Sequence, residues 1–408
     1  MHCNTSPFKR PDDVTLKLRE LEDAMLGPEL DKPDTHLTET IHSITTRGDL
    51  KQVLISCARA LSARDFTMAD CLIVELRRMV SVSGEPVQRL GAYLLEGLIA
   101  RQASSGSSIY RALKCKAKAS PDMFSYLQIL YEVCPYIKFG YMSANGAIAE
   151  AMKDENMVHI VDFQIGQGTQ WVSLIQAFAC RPGGPPRIRI TGVDGTELAG
   201  KRLADLARLY NVPFEYHHSP AAFSEPSRIG IREGEALAVN FAFALHHTPD
   251  GTVCAENQRD RVLRMVKKIS PKVVTLVEFE LDANTAPFLP RFVETLEFYR
   301  AMFESIDVTL PREHKERINV EQCCLAPDLI NIVACEGEER IERYELQVKW
   351  RSRFEMIGFR PFPLSSLVNS TIHTLLSKHS KKYSFHERDG VLYLGWLNRN
   401  LVASSAWK

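Results

Sequence analysis

The sequence has no surplus of charge, no long apolar run and no paired cysteine motif, and each absence removes a class of function. Fifty basic and fifty acidic side chains cancel, so no overall field exists to hold a polyanion such as DNA or an acidic membrane surface; a local basic patch is still compatible with this balance. Nowhere do fifteen apolar residues follow one another, and Met1 to Arg10 lacks an apolar core after a charged start. Neither a membrane span nor a secretory signal is expected, which points to an intracellular protein. The ten cysteines are scattered with no Cys-x-x-Cys pair to hold zinc, so they read as reduced, mostly buried thiols, with Cys323-Cys324 as the redox-sensitive candidate. Also missing are a Gly-x-Ser-x-Gly elbow, a Walker-type loop, a zinc finger, a basic zipper and an RNA-binding signature.

What is present is ordinary globular composition, 45% apolar and 25% charged, in a chain of 408 residues. That length suits a main domain with a second subdomain. Residues 1–40 carry Pro7, Pro11, Pro28 and Pro33 among charges and read as a short lead-in, with one helix expected over Val14 to Met25. Within a cap placed at 41–153, the period is helical from Gly48 to about Lys153: Leu50, Val53, Leu54, Cys57 and Leu61 share a face, and further helices fit Met123 to Tyr136 and Gly140 to Lys153. The run SSGSS at 104–108 is the most linker-like stretch. These helices are expected to form a cap.

Residues 154–408 alternate strand and helix. Strands are expected at Val158 to Val161, Arg187 to Val193, Phe214 to His217, Ala236 to Ala244, Lys272 to Phe279 and Ile330 to Cys335. Helices fall between them and at Phe288 to Glu304 and Arg343 to Ile357. Such alternation implies a parallel sheet covered on both faces. Tyr383 to Glu387 and Val391 to Trp396 flank Asp389-Gly390, a tight-hairpin dipeptide, and Leu401 to Trp407 can return as one more strand. The expected fold is α/β: a methyltransferase-like doubly wound sheet, mostly parallel with an antiparallel C-terminal end, plus an α-helical cap.

The stretch VHIVDFQIGQGTQW at 158–171 has the form of a nucleotide-binding turn: an apolar strand, an acidic residue, then glycines opening a helix. Against the pattern acidic-x-Gly-x-Gly-x-Gly, the first glycine is Gln164, which brings a Cβ and a polar chain to the place of closest ligand approach. The turn therefore reads first as structural, with Gly166 and Gly168 making the bend and Asp162 accepting hydrogen bonds from the helix start. The alternative is a small-molecule or S-adenosylmethionine pocket lined by Asp162, Gln164, Gly166, Gly168, Asp194 and His246. No catalytic residue, cofactor or metal is expected.

Three clusters invite a chemical reading. His246-His247 ends the fourth strand with Asp250 close behind, and His217-His218 ends the third. Adjacent histidines on one strand point in different directions, so hydrogen-bonding loop histidines are expected rather than metal ligands. Glu278, Glu280 and Asp282 read as solvated or salt-bridged carboxylates. Lys378, His379, Lys381 and Lys382 read as a solvated helix end, with nuclear import as the alternative.

Five motifs in order carry a family resemblance. VHIVDF at 158–163 resembles the VHIID element, and NFAFALHHTPD at 240–250 the segment after it. APFLPRF at 286–292, EFYRAMFESID at 297–307 and ERINV at 316–320 look like the three parts of PFYRE. GWLNRNLVASSAW resembles the SAW element, and DLKQVLISCARAL at 49–61 the opening of a first leucine-rich region. The chain is thereby identified as a member of the GRAS family of plant transcriptional regulators over about 45–408. It is most similar to scarecrow-like proteins of the phytochrome A signal transduction branch.

The resemblance implies non-enzymatic coregulation and signalling through protein contacts, in light signalling or development, in nucleus and cytoplasm. It implies zinc-finger transcription factors and other GRAS proteins as partners, homo- or hetero-dimers through the cap, and indirect contact with DNA. The face Leu50, Val53, Leu54, Cys57, Leu61 is the candidate partner surface. Val158, His159, Ile160, Val161 and Asp162, with Pro287, Phe298, Tyr299, Arg317, Ser405, Ala406 and Trp407, fall on the motifs as structural residues. Many relatives carry a long low-complexity start, and no role carried by such a segment is expected of this lead-in.

Overall fold

The computed structural model describes residues 49–408 apart from 120–122, 195, 220–225 and 254. The helix expected over Val14 to Met25 lies outside the described residues. The described residues begin with six helices: α1 (Leu50–Ser62), α2 (Phe66–Met79), α3 (Pro86–Gln102), α4 (Gly106–Ala119), α5 (Met123–Val133) and α6 (Pro135–Ala151). Asp49 and Asp65 start the first two by accepting from the backbone N–H groups of Lys51 and Met68, which otherwise have no partner in a first helical turn.

The α/β half follows as β1 (Met157–Asp162), α7 (Thr169–Ala179), β2 (Arg187–Gly192), α8 (Glu197–Leu209), β3 (Phe214–His218), β4 (Ala236–Ala242), α9 (Gln258–Lys268) and β5 (Val273–Phe279). Next come α10 (Phe288–Asp307), α11 (Lys315–Val320), α12 (Ala326–Ala334), α13 (Gln347–Ile357) and α14 (Ser366–Leu376). The chain closes with β6 (Tyr383–Arg388), β7 (Val391–Trp396) and β8 (Arg399–Trp407). The eight strands form one sheet in the order β3-β2-β1-β4-β5-β8-β7-β6. It is parallel through β5 and antiparallel from β5 to β8 onward, as the methyltransferase-like reading expects.

Strand order reverses between β1 and β4, where a doubly wound sheet opens a crevice at its carboxyl ends. Register places Asp162 opposite both Gly192 and Asn240, so the last residue of β1 is flanked on both sides. The sheet is buried on both faces. Ile148, Ile160, Trp171, Leu174, Ile190 and Leu203 pack one side. Val161, Val239, Val262, Leu276, Trp350, Phe354 and Trp407 pack the other. Such burial explains why the parallel strands read as continuous apolar runs.

Four expectations are corrected. Ile330 to Cys335 is not a strand but the end of α12 and its cap, with Pro327 in the first turn presetting the helical backbone angle. Leu329, Ile330, Ile332 and Val333 are all buried, so no polar stripe betrays the helical period. SSGSS is no linker: Ser104 turns the chain at φ 52° and Gly106 opens α4, where a Cβ would meet that of Ala334 at 2.5 Å. The helix expected from Arg343 begins at Gln347, and residues 340–346 are irregular, joined to the segments after β4 and β5 by Arg343 N–H to the His246 carbonyl and Ala283 N–H to the Tyr344 carbonyl, both at 3.0 Å. The proposed partner face is interior, with Val53 and Cys57 at 0% exposure, Leu54 at 1%, and Leu50 and Leu61 at 7%. Those five side chains fill the seam between α1 and its neighbours α2, α3 and α10, so in this fold they are not available to a partner.

Candidate functional site

The β1 turn is built by its glycines. Gly166 and Gly168 have φ 52° and 77°, values that favour glycine, and a Cβ on Gly168 would also press Leu203 at 2.9 Å. Asp162 is 1% exposed and spends both carboxylate oxygens within the fold. Oδ1 accepts from the Gln164 backbone N–H at 3.2 Å and Asn240 Nδ2 at 3.0 Å, and Oδ2 accepts from Trp171 Nε1 at 2.8 Å. Burial pushes this carboxyl up to about 7, against the pull of its three donors. Asp194 Oδ1 accepts from the Ile165 N–H at 2.8 Å and so holds the turn.

Beside this turn lies a cleft of about 510 Å³ lined by Phe163, Gln164, Asp194, Ala244, His247, Thr248, Pro249, Gln258, Arg261 and Val262. Gln164 forms part of its wall and does not fill it. The turn's own carboxylate is turned away from the cleft, since Asp162 does not line it and each of its oxygens already has a donor.

Across the cleft stands a second arrangement, at the end of β4. His246 and His247 are on a single 3₁₀ turn, Leu245–His247, and not on a strand. Their rings therefore lie side by side, with centroids 3.9 Å apart, correcting the expectation that they diverge. His246 Nδ1 is 2.6 Å from Glu278 Oε2, and Glu278 Oε1 accepts from the Leu245 N–H at 2.8 Å. Glu342 arrives from the irregular segment before α13 and is fully buried. Its Oε2 sits 3.5 Å from His246 Nε2 and 3.2 Å from His247 Nε2, while its Oε1 accepts from Tyr110 Oη at 2.9 Å. Burial works against a charge on His246, but Glu278 and Glu342 outweigh it and raise its pKa to about 9. Burial likewise opposes ionisation of Glu342, yet the facing imidazoles hold it well below the usual carboxylate range.

Other expected residues separate from this group. Asp250 does not join the histidines: Asn284 Nδ2 donates to it at 2.6 Å and the Arg353 guanidinium lies at 3.7 Å. His217 and His218 are exposed at the end of β3. Of the three strand-five carboxylates, Glu278 serves His246, Glu280 accepts from the Gln347 N–H at 2.9 Å, and Asp282 pairs with Lys349 at 2.7 Å. Lys378, Lys381 and Lys382 are exposed beyond α14. Burial pushes the Cys324 thiol up to about 12, which removes it as a reactive thiolate at neutral pH.

The motif residues hold the body together. Val158, His159, Ile160 and Val161 are buried in β1, and His159 is kept neutral, its pKa lowered to about 3 by burial and by the Arg189 guanidinium. Pro287 precedes α10, which buries Phe298 and Tyr299. Arg317 donates to Glu321 at 2.7 Å. The same carboxylate takes Arg89 Nε at 3.0 Å, and Arg89 reaches Asp307 at 2.7 Å, so α3 is tied to the end of α10 through a fully buried guanidinium. Ser405 Oγ accepts from Gln347 Nε2 at 2.8 Å and from Trp407 Nε1 at 3.0 Å; Ala406 and Trp407 are 1% exposed, with Trp407 stacked on Phe354 at 4.9 Å. The sequence did not reveal Glu342, Tyr344, Tyr110 or Asp328 as neighbours of the histidines. No local spacing announces contacts made across so much chain.

Comparison with known families matches residues 50–408, nearly all of the described chain, to the GRAS domain family. The chain belongs to the GRAS domain family. Among curated GRAS relatives it is 60% identical over 433 residues to Scarecrow-like transcription factor PAT1 of Arabidopsis thaliana, spanning 100% of this chain and 88% of the relative. It is 62% identical over 368 residues to Scarecrow-like protein 21 of the same plant, spanning 89% of each. Among solved structures, that of SCL7 from Oryza sativa superposes with a TM-score of 0.77 at 37% identity, covering 88% of this chain and 99% of the other. No helix among the described residues is long and apolar enough to cross a membrane.

Proposed function

We propose that this GRAS protein is a non-enzymatic transcriptional regulator and signalling adaptor that works through protein contacts, in light signalling of the phytochrome type or in development. The relationship to a protein named as a transcription factor supports the regulatory part. The engagement of both Asp162 oxygens inside the fold supports the non-enzymatic part, because a methyl donor or dinucleotide site needs that carboxylate facing the ligand. Balanced charge favours DNA contact supplied by others, with zinc-finger transcription factors and other GRAS proteins as partners and the nucleus and cytoplasm as its places of action. The division into lead-in (1–40), helical cap (41–153) and α/β core (154–408) is part of this proposal. Because α12 packs along α3, removing the cap strips the core of a neighbour, so the cap is best tested without deleting it.

The competing reading is an S-adenosylmethionine-dependent methyltransferase or a small-molecule-binding regulator, favoured by the cleft of about 510 Å³ beside the turn. One preparation of the full chain separates the two. Pull-down of a zinc-finger transcription factor, with no saturable heat on titration of S-adenosylmethionine, is the expected pair of results. Saturable methyl-donor binding that Asp162→Ala abolishes, together with methyl transfer to any acceptor, would overturn the proposal.

A further inference from the structure

The histidine turn at the end of β4 has the geometry of a metal site. His246 Nε2, His247 Nε2 and Glu342 Oε2 form the one such group of His, Cys, Asp and Glu ligand atoms found among the described residues, all within 4.8 Å of one another. Ligands held at about 2.0–2.1 Å around a tetrahedral zinc ion lie about 3.3 Å apart. The two nitrogen-to-oxygen separations, 3.2 and 3.5 Å, bracket that value. A second observation points the same way: Glu342 Oε2 is fully buried, yet no donor reaches it in hydrogen-bonding alignment. A buried carboxylate oxygen without an aligned donor is costly, and a cation between it and the imidazoles would satisfy it.

The surroundings have the features of a metal's outer shell. His246 turns its other nitrogen to Glu278, the carboxylate–histidine arrangement that fixes tautomer and ring orientation in metal centres. Tyr344 stacks on the same ring at 4.2 Å and 18°, and the Arg343 N–H donates to the His246 carbonyl at 3.0 Å, which brings Glu342 into place. Carboxylates surround the group: Glu278 and Glu342 face the imidazoles, and Lys114 contacts Asp328 at 3.0 Å and Glu342 at 3.7 Å. His247 also lines the cleft, which puts the group at the edge of that space.

We propose that His246, His247 and Glu342 bind a single divalent transition-metal ion of the zinc class, with Glu278 as the positioning residue for His246. Two imidazoles and a carboxylate select zinc or cobalt over magnesium or calcium, which prefer all-oxygen shells.

The test uses the full chain, stripped with a chelator and titrated with cobalt(II) and zinc(II). The expected result is one ion per chain, a visible cobalt d–d spectrum of nitrogen and oxygen ligation, and a melting temperature raised by zinc. His247→Ala, at a partly exposed position where folding should persist, is expected to weaken binding at least tenfold and abolish the zinc-induced shift. The pair Cys323→Ser and Cys324→Ser is expected to leave both unchanged. Absence of saturable binding overturns the proposal, as does binding that survives His247→Ala or shows thiolate-to-cobalt charge transfer.

Discussion

The ends of β1 and β4 are neighbours in the sheet and face the same cleft, yet they dispose of their polar atoms in opposite ways. At β1, Asp162 has a partner for each oxygen and lies behind the wall, and the glycines merely make the bend. At β4, one Glu342 oxygen has no aligned donor, and His247 lines the cleft that the β1 turn also borders. A glycine-rich turn is thus a poor indicator of binding once its carboxylate has been taken up by the fold. An unspent buried acceptor is the better indicator.

The comparison is open to direct attack. The largest effect is expected from Asp162→Ala, which leaves the Asn240, Trp171 and Gln164 donors without their acceptor. At about 1–3 kcal/mol for each unpaired buried group, the loss should reach roughly 3 kcal/mol in chemical denaturation; a loss below about 1 kcal/mol would show the β1 end is not self-satisfied.

Next comes Glu280, just past β5, where burial pushes the carboxyl up to about 7. The folded state then holds its proton more tightly than the unfolded chain does. Its contribution to stability is fully present below the ordinary value of 4.5 and is lost as pH rises through about 7. Glu280→Gln should therefore lose less melting temperature than the parent between about pH 5 and pH 7, and identical slopes would place the proton elsewhere.

A smaller change, about 1 kcal/mol, is expected for His247→Ala in metal-free protein, since its side chain is 35% exposed. A larger loss by thermal denaturation would mean that the β4 end is closed as firmly as the β1 end. The smallest effect belongs to Gln164→Gly. Because Gln164 is wall and not plug, removing it should change stability by only about 0.5 kcal/mol and create no S-adenosylmethionine binding by calorimetry. Methyl-donor binding gained by this one change would mean that the glutamine side chain had been the barrier all along.

Most of the sheet was legible because buried parallel strands are short apolar blocks between helices. Val158 to Val161 and Lys272 to Phe279 come within a residue or two of β1 and β5. Legibility failed where burial was uniform: α12 hides its period because its neighbours α3, α4 and α10 surround it, and its isoleucines and valine then imitate a strand. It failed again at SSGSS, where glycine serves close helix approach to Ala334 rather than chain freedom. Of the pocket residues named from sequence, Gln164 and Asp194 line the cleft, whereas Asp162 and His246 are buried and do not. Glu342 was not named, since only the irregular run after α12 delivers it to the histidines.

The position of β8 sets a limit on how this protein can be made. It lies between β5 and β7, and it is the last of the eight strands to leave the ribosome. Until Trp407 emerges, the nascent sheet carries open hydrogen-bonding edges at β5 and β7, available to any passing extended chain. Assembly of the core must therefore wait for β8, and a stop codon within that strand would remove the keystone of the sheet rather than trim its rim.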